Sequence, residues 1–273
     1  SFARFGAEVH LIEATDRIMP RDDLEASQIV TESMKRDGIR LHTNQKLVEV
    51  QKTDTGRKLI VEDQNNTRSE FEVDELLVAV GRTPNVDNLG LDEAGVKYDQ
   101  RQGVHVDKYL RTSNKNIYAA GDVCFPYKFT HVGDALARLV IRNALFFWGC
   151  KTSSLTIQLC RYTDPEVGHV GLHPQEAKEK GIDVTSIRIG LEDVDRAILE
   201  GDTEGFLKVH VRTGKDEIIG ATLVARHAGD MISQITTAMT AGVGLGSIAN
   251  TIHPYPTTAE IIKKAADQFN RTR

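Results

Sequence analysis

Three stretches of this chain place an acid or a phenol where chemistry could use it. Glu13 ends a short apolar run, Val9-His10-Leu11-Ile12, that follows Gly6. In dinucleotide-binding βαβ units an acid at a strand end, ~20 residues beyond a glycine-rich turn, hydrogen-bonds the adenosine ribose. It is equally the kind of acid that simply closes a buried strand. Gly121-Asp122 follows Asn116-Ile117-Tyr118-Ala119-Ala120; glycine there lets a backbone approach a ligand, and the carboxylate can accept from hydroxyls. Phe129-Thr130-His131 then opens a helical pattern, whose free amides would favour negative charge. Tyr255 and Glu260 stand in His-Pro-Tyr-Pro-Thr-Thr-Ala-Glu (253–260), with His253 two residues before the tyrosine. A phenol, titrating near about 10, is a poor base at neutral pH.

Other chemistries are excluded more easily. Cys124, Cys150 and Cys160 are the only cysteines among 273 residues, and their spacing matches neither a zinc site nor a dithiol pair. The nine histidines form no ligand cluster, so no metal site is expected. A net charge of −5 argues against a basic nucleic-acid surface. No apolar run approaches the ~18–20 residues that would cross a bilayer, and no secretory leader is visible. Few cysteines and no leader point to a reducing, cytoplasmic setting.

The elements that must position these residues read as α/β, then α+β. Phe2 and Phe5 lie on one face of a helix end stopped by Gly6, so the sequence starts inside a βαβ unit whose phosphate-binding glycines are expected upstream of Ser1. Residues 22–35 carry a helical period closed by Gly38. Ile39–Thr43 reads as a strand, and 47–50, 58–61 and 71–73 as an antiparallel meander. Glu75–Gly81 reads as a buried strand running into glycine and 116–123 as a second strand. Residues 90–107 read as loop, and a helix is expected from about Gly133 to Trp148. Near residue 150 the pattern changes to short strands (184–189, 205–211, 217–224) and two helices (228–241, 258–269), an α+β unit with its own core.

The order of four motifs carries a resemblance: Val-Gly-Arg-Thr-Pro-Asn (80–85), Thr112 with Asn-Ile-Tyr-Ala-Ala-Gly-Asp-Val (116–123), Tyr-Thr-Asp-Pro-Glu-Val (162–167) and the 253–260 run. Together they resemble the class I pyridine nucleotide–disulfide oxidoreductases over essentially the whole chain. Residues 124–131, 142–146 and the His-Pro-Tyr-Pro tail look most like the mercuric reductase-like branch. The resemblance implies partial Rossmann-type nucleotide-binding domains followed by an interface domain. The boundaries are 1–78 for the remainder of the NAD(P)-binding domain, 79–150 for the C-terminal part of the FAD-binding domain, and 151–273 for dimerisation.

It also implies roles. Gly121, Asp122, Phe129, Thr130 and His131 would bind FAD, with His131 structural in character; Glu13, Val80 and Gly81 would bind NAD(P). Glu13 favours NADH over NADPH, because it would repel a 2′-phosphate, although Arg17 and Arg21 stand near enough in sequence to receive one. Tyr255 falls where disulfide reductases of the family carry their acid–base histidine, with Glu260 at the position that orients it. Tyr255 and Glu260, with His253 a lesser candidate, would act across a homodimer. In the mercuric branch the tyrosine serves the metal-ion site; alternatively it packs against flavin. The expected parent is an FAD-dependent NAD(P)H oxidoreductase that passes hydride through flavin and a cysteine pair to a small-molecule or metal-ion substrate, Hg(II) in the mercuric case. Neither the pair nor the branch's C-terminal Cys-Cys lies in this chain, so the 273 residues alone are expected to be inactive. The alternatives are a dihydrolipoyl dehydrogenase or related disulfide reductase, and a non-catalytic dimerisation and nucleotide-binding module.

Overall fold

The computed structural model describes residues 1–146 and 149–272. They fall into two compact units, one built from Ser1–Leu77 with Gln158–Arg273, the other from Val78–Ile157.

In the first unit a single 3-10 turn, Ala3–Phe5, ends at Gly6 in the left-handed region. Strand β1 (His10–Ile12) pairs in parallel with β2 (Arg40–His42), and helix α1 (Leu24–Arg36) crosses between them. Asp23 caps α1, accepting from the amides of Glu25 at 2.9 Å and Ala26 at 3.3 Å. The meander forms as expected: β3 (Lys46–Lys52), β4 (Arg57–Glu62) and β5 (Arg68–Val73) pair antiparallel in order.

The same unit holds a five-stranded antiparallel sheet. Its strands are β8 (Gln158–Arg161), β9 (Glu166–Gly171), β10 (Val184–Gly190), β11 (Phe206–Arg212) and β12 (Ile218–Ala225), in the order β10-β11-β12-β9-β8. Helices α3 (Pro174–Glu179) and α4 (Asp195–Glu200) join the early strands; α5 (Ala228–Thr240), α6 (Leu245–Ala249) and α7 (Glu260–Arg271) follow. Strands β8 and β9 and the short helices α3, α4 and α6 add to the pattern read from sequence. β12 is buried along its whole length. One sheet face (Leu207, Val209, Leu223) packs on α5 and α7 through Ile232, Ile235, Ile261 and Phe269. The other face presents Val167, Phe206 and Val224 to Ile18, Ala26 and Val30 of the N-terminal segment. Burying Phe206 alone is worth about 1.5–3 kcal/mol. Lys208 on β11 completes the seam, meeting Asp23 and Glu25, each at 2.9 Å. Burial pushes the Asp23 carboxyl up, but the Lys208 ammonium and the two cap amides outweigh it and hold the group below its usual range.

The second unit is loop-rich. Its described residues hold a short antiparallel pair, β6 (Tyr98–Asp99) with β7 (Gly103–Val104), and a long helix, α2 (Thr130–Leu145). Leu110, Val132, Leu136 and Leu139 form one small core; Val86, Val96 and Val104 form another. Trp148, the expected end of the long helix, lies outside the described residues.

Two expected strands do not form. Residues 75–81 pair with no strand among the described residues, and Leu77, Val78 and Val80 are exposed. An apolar run becomes a strand only where a neighbour takes its amides and carbonyls, and the parallel sheet here ends at β1 and β2. Over 116–123 only an isolated bridge between Arg111 and Tyr118 forms, followed by a 3-10 turn at Gly121–Val123.

Candidate functional site

The tail at 250–260 is held by specific polar contacts. The ring of His253 sits between Thr251 O, 2.9 Å from Nδ1, and the side-chain amide nitrogen of Gln234 on α5, 2.9 Å from Nε2. The carbonyl can only accept, so Nδ1–H donates to it, and Nε2 faces the Gln234 amide, so both ring nitrogens are engaged. That makes it a brace between α5 and the tail. The Tyr255 side chain projects outward, 67% exposed, and its hydroxyl donates to Asp195 Oδ2 at 2.7 Å. This hydrogen bond, with the charge of the same carboxylate and of Glu260 behind it, holds the phenol above its usual range. Glu260 is the first residue of α7. Its side chain is largely buried, Lys264 Nζ lies 3.8 Å from Oε1, and among the described residues Oε2 has no hydrogen-bond partner.

Glu13 leaves β1 half-buried. Its Oε1 accepts from both the amide (2.8 Å) and the hydroxyl (2.9 Å) of Thr15, which orients the carboxylate just past the strand end. Arg17 curls back onto its own loop and donates to the carbonyls of Met19, Pro20 and Asp22 at 2.7–3.2 Å. Arg21 is exposed.

In the second unit, Gly121 is buried with φ +79°, a conformation that suits glycine. An added Cβ would touch Gly133 Cα at 3.7 Å, so the turn lies against the first turns of α2. Asp122 projects from it half-exposed. Arg82 reaches Asp122 Oδ2 at 3.4 Å and Lys128 O at 2.7 Å, and Lys128 Nζ donates to Asp122 O at 3.0 Å. Among the described residues no side chain caps α2, and the rings of Phe129 and His131 stack at its start, 5.5 Å apart. Gly121, Asp122, Phe129, Thr130 and His131 thus share one end of α2. Val80, 92% exposed, and Gly81, at φ +124°, lie on the unpaired stretch just before Arg82.

Two of the thiols, Cys124 and Cys160, are poor nucleophiles. Burial pushes Cys124 up to about 11 and Cys160 up to about 12, the latter helped by Glu166. Among the described residues no His, Cys, Asp and Glu group could hold a metal ion.

Sequence reasoning missed Asp195, Gln234 and Lys128. The first two meet their partners only through tertiary contact, so no local signal marked them; Lys128 lay inside a motif already singled out.

Comparison with known proteins places this geometry. Residues 1–139 match the family described as pyridine nucleotide-disulphide oxidoreductase, and residues 157–266 match its dimerisation domain. The chain belongs to the pyridine nucleotide-disulphide oxidoreductase family. A mercuric reductase of Staphylococcus aureus is 34% identical over 270 residues, 99% of this chain and 49% of that protein. A dihydrolipoyl dehydrogenase of the same species is 34% identical over 268 residues, 98% of this chain and 57% of that protein. Among solved structures, LpdA from Mycobacterium tuberculosis superposes with a TM-score of 0.88 at 25% identity, covering 98% of this chain and 57% of that one. The flavoprotein disulfide reductase RclA from Escherichia coli gives 0.87 at 25% identity, covering 98% and 60%. The chain therefore spans about half the length of the curated relatives it matches.

Proposed function

We propose that this chain is the nicotinamide-side and interface portion of a mercuric reductase-like, FAD-dependent NAD(P)H oxidoreductase. The observation that carries the reading is Tyr255: a phenol, its proton held by Asp195, stands where the family's disulfide reductases carry a histidine. Such a group is no acid–base for a thiolate, but its oxygen can meet a soft metal ion.

The residues around Gly121 fit FAD. A carboxylate on a glycine turn suits the ribityl and pyrophosphate region, and the uncapped start of α2 suits a partly negative ring oxygen. FAD held there would supply a hydride acceptor for NAD(P)H and an electron donor for a cysteine pair that this chain does not contain. The chain's own residues orient and exclude. Asp122 and the α2 amides hold flavin; Glu13 accepts a ribose hydroxyl; Val80 and Gly81 line the nicotinamide side. Arg17, engaged with its own loop, leaves Glu13 unopposed by that residue, which favours NADH. The functional parts are residues 1–78, 79–150 and 151–273, and the setting is cytoplasmic.

The match to a dimerisation domain and the exposure of Ile252 (96%), Leu199 and Tyr255 favour a homodimer in which Tyr255 and Glu260 complete the partner's site. With only desolvated or widely spaced thiols, the 273 residues alone would not turn over.

The test is NADH-dependent reduction of Hg(II) and of lipoamide by the complete enzyme. Hg(II) turnover without lipoamide turnover supports the mercuric reading; the reverse supports dihydrolipoyl dehydrogenase, a reading favoured by the equal identity to that enzyme. Activity in neither assay, with tight dimerisation retained, would leave a non-catalytic module.

A further inference from the structure

We infer that Asp195 is a positioning residue for Tyr255: it takes the phenolic proton and so turns the oxygen's lone pairs, and no donor, toward whatever the tyrosine meets. This rests on the proposed role of Tyr255 and goes further, by naming the residue that sets the sense of its hydrogen bonding.

The geometry is direct. Tyr255 has one proton, and a carboxylate can only accept, so the 2.7 Å contact fixes its direction. The phenol oxygen keeps only acceptor capacity for a third group. It can then serve a cation or a proton donor and cannot stabilise a thiolate by donation. The brace at His253 holds the tail that carries Tyr255, and Asp195 opens α4, so both ends of the contact start from defined backbone.

Surroundings strengthen the case. Ile198 and Leu199 follow Asp195 on α4, Ile252 precedes Tyr255, and all three are exposed. Exposed apolar side chains close in sequence to both ends of a charge-assisted hydrogen bond are what a covering partner would dry, and drying strengthens the bond. The carboxylate of Glu260 adds negative potential at the same phenol, which again favours a cation over an anion there.

The contact is exposed in this chain, so its loss leaves the fold intact. Two variants report on it: Asp195→Asn keeps the shape but weakens the acceptor, and Asp195→Ala removes it. The tyrosine Raman doublet distinguishes a phenol that donates strongly from one that does not. The difference between wild type and Tyr255→Phe isolates Tyr255 from the other tyrosines. The donor signature is expected in wild type and lost in Asp195→Ala.

In the complete enzyme Asp195→Ala should lower kcat for Hg(II) about threefold to tenfold, as for one charge-assisted hydrogen bond, with the KM for NADH unchanged. Added to Tyr255→Phe it should have no further effect, because a residue acting only through the phenol has nothing left to act on. A Raman doublet unmoved by Asp195→Ala overturns the inference even if Hg(II) turnover is confirmed. Additive losses in the double variant also overturn it. If the doublet moves but Tyr255→Phe turns over at the wild-type rate, the role of Tyr255 falls, and the positioning role of Asp195 falls with it.

Discussion

Two apolar runs in this protein look alike in sequence and end differently. Ile218–Ala225 becomes β12, buried along its length between β11 and β9. Glu75–Gly81, as rich in Leu, Val and Ala, forms no strand and exposes Leu77, Val78 and Val80. Intrinsic preference does not separate them; neighbours do. The antiparallel partners of β12 lie within its own unit, so its backbone is laddered to β11 on one side and β9 on the other. The run at 75–81 has the composition of a parallel strand, and a parallel strand depends on crossover partners.

The sharpest way to break this comparison is truncation in both runs. Leu223→Ala should destabilise the protein by about 2–5 kcal/mol, because the packed face of the sheet cannot collapse around the gap. Leu77→Ser should change stability by less than about 0.5 kcal/mol. Urea titration of the two variants checks both; equal losses would mean that 75–81 is packed after all.

Acid probes the buried histidines of the sheet, to which His42 on β2, also held below its usual value by burial, adds. His169 donates from Nε2 to Gly171 O at 3.1 Å and pairs Nδ1 with Thr222 Oγ1 at 2.9 Å. His210 pairs Nδ1 with Ser186 Oγ at 2.8 Å, and its buried Nε2 has no partner among the described residues. Burial, then the nearby His173, pushes His169 down to about 3 and His210 down to about 4. Between the ordinary histidine value, about 6.5, and these values the unfolded chain binds more protons than the folded one. Stability is therefore full above about pH 6.5 and falls as pH drops below it, by about 1.4 kcal/mol per unit for each histidine. Thermal melts from pH 7 to 5 should show this slope. His210→Asn, which keeps a polar group for Ser186 but no titrating ring, should remove roughly one histidine's share. An unchanged slope would place the titration elsewhere.

A smaller loss tests the seam between α1 and the sheet. Asp23→Ala removes a helix cap and one of the two partners of Lys208, and about 1–2 kcal/mol should disappear from the chemical-denaturation stability. Asp23→Asn, which can still cap, should lose less. Smallest of all is the thiol readout. At pH 8 Cys124 and Cys160 should react with a disulfide reagent far more slowly than a free peptide thiol, and unfolding in urea should abolish the difference.

Much of the fold was legible because it is locally encoded. The helix at 24–36 shows its period and its Gly38 stop, the meander alternates around turn residues, and β10 to β12 and α5 lie where period and turns put them. Gly121-Asp122 and the opening of α2 were legible as motifs, and the structure sets them at one end of that helix. Two apolar runs misled because composition does not state whether a partner strand exists. What was not legible at His253, a lesser candidate from sequence, is that Gln234 and Thr251 engage both its nitrogens.

By itself the sequence determined the family, through four motifs whose order survives in the chain, and the positions of glycines, caps and periodic faces that need only near neighbours. Tertiary structure alone decided which apolar runs became strands, which histidines were sealed neutral in the sheet, and that Asp195 meets the hydroxyl of Tyr255. Each of those depends on groups far apart in sequence. Their pairing follows from the folded path of the backbone and leaves no mark in local residue spacing.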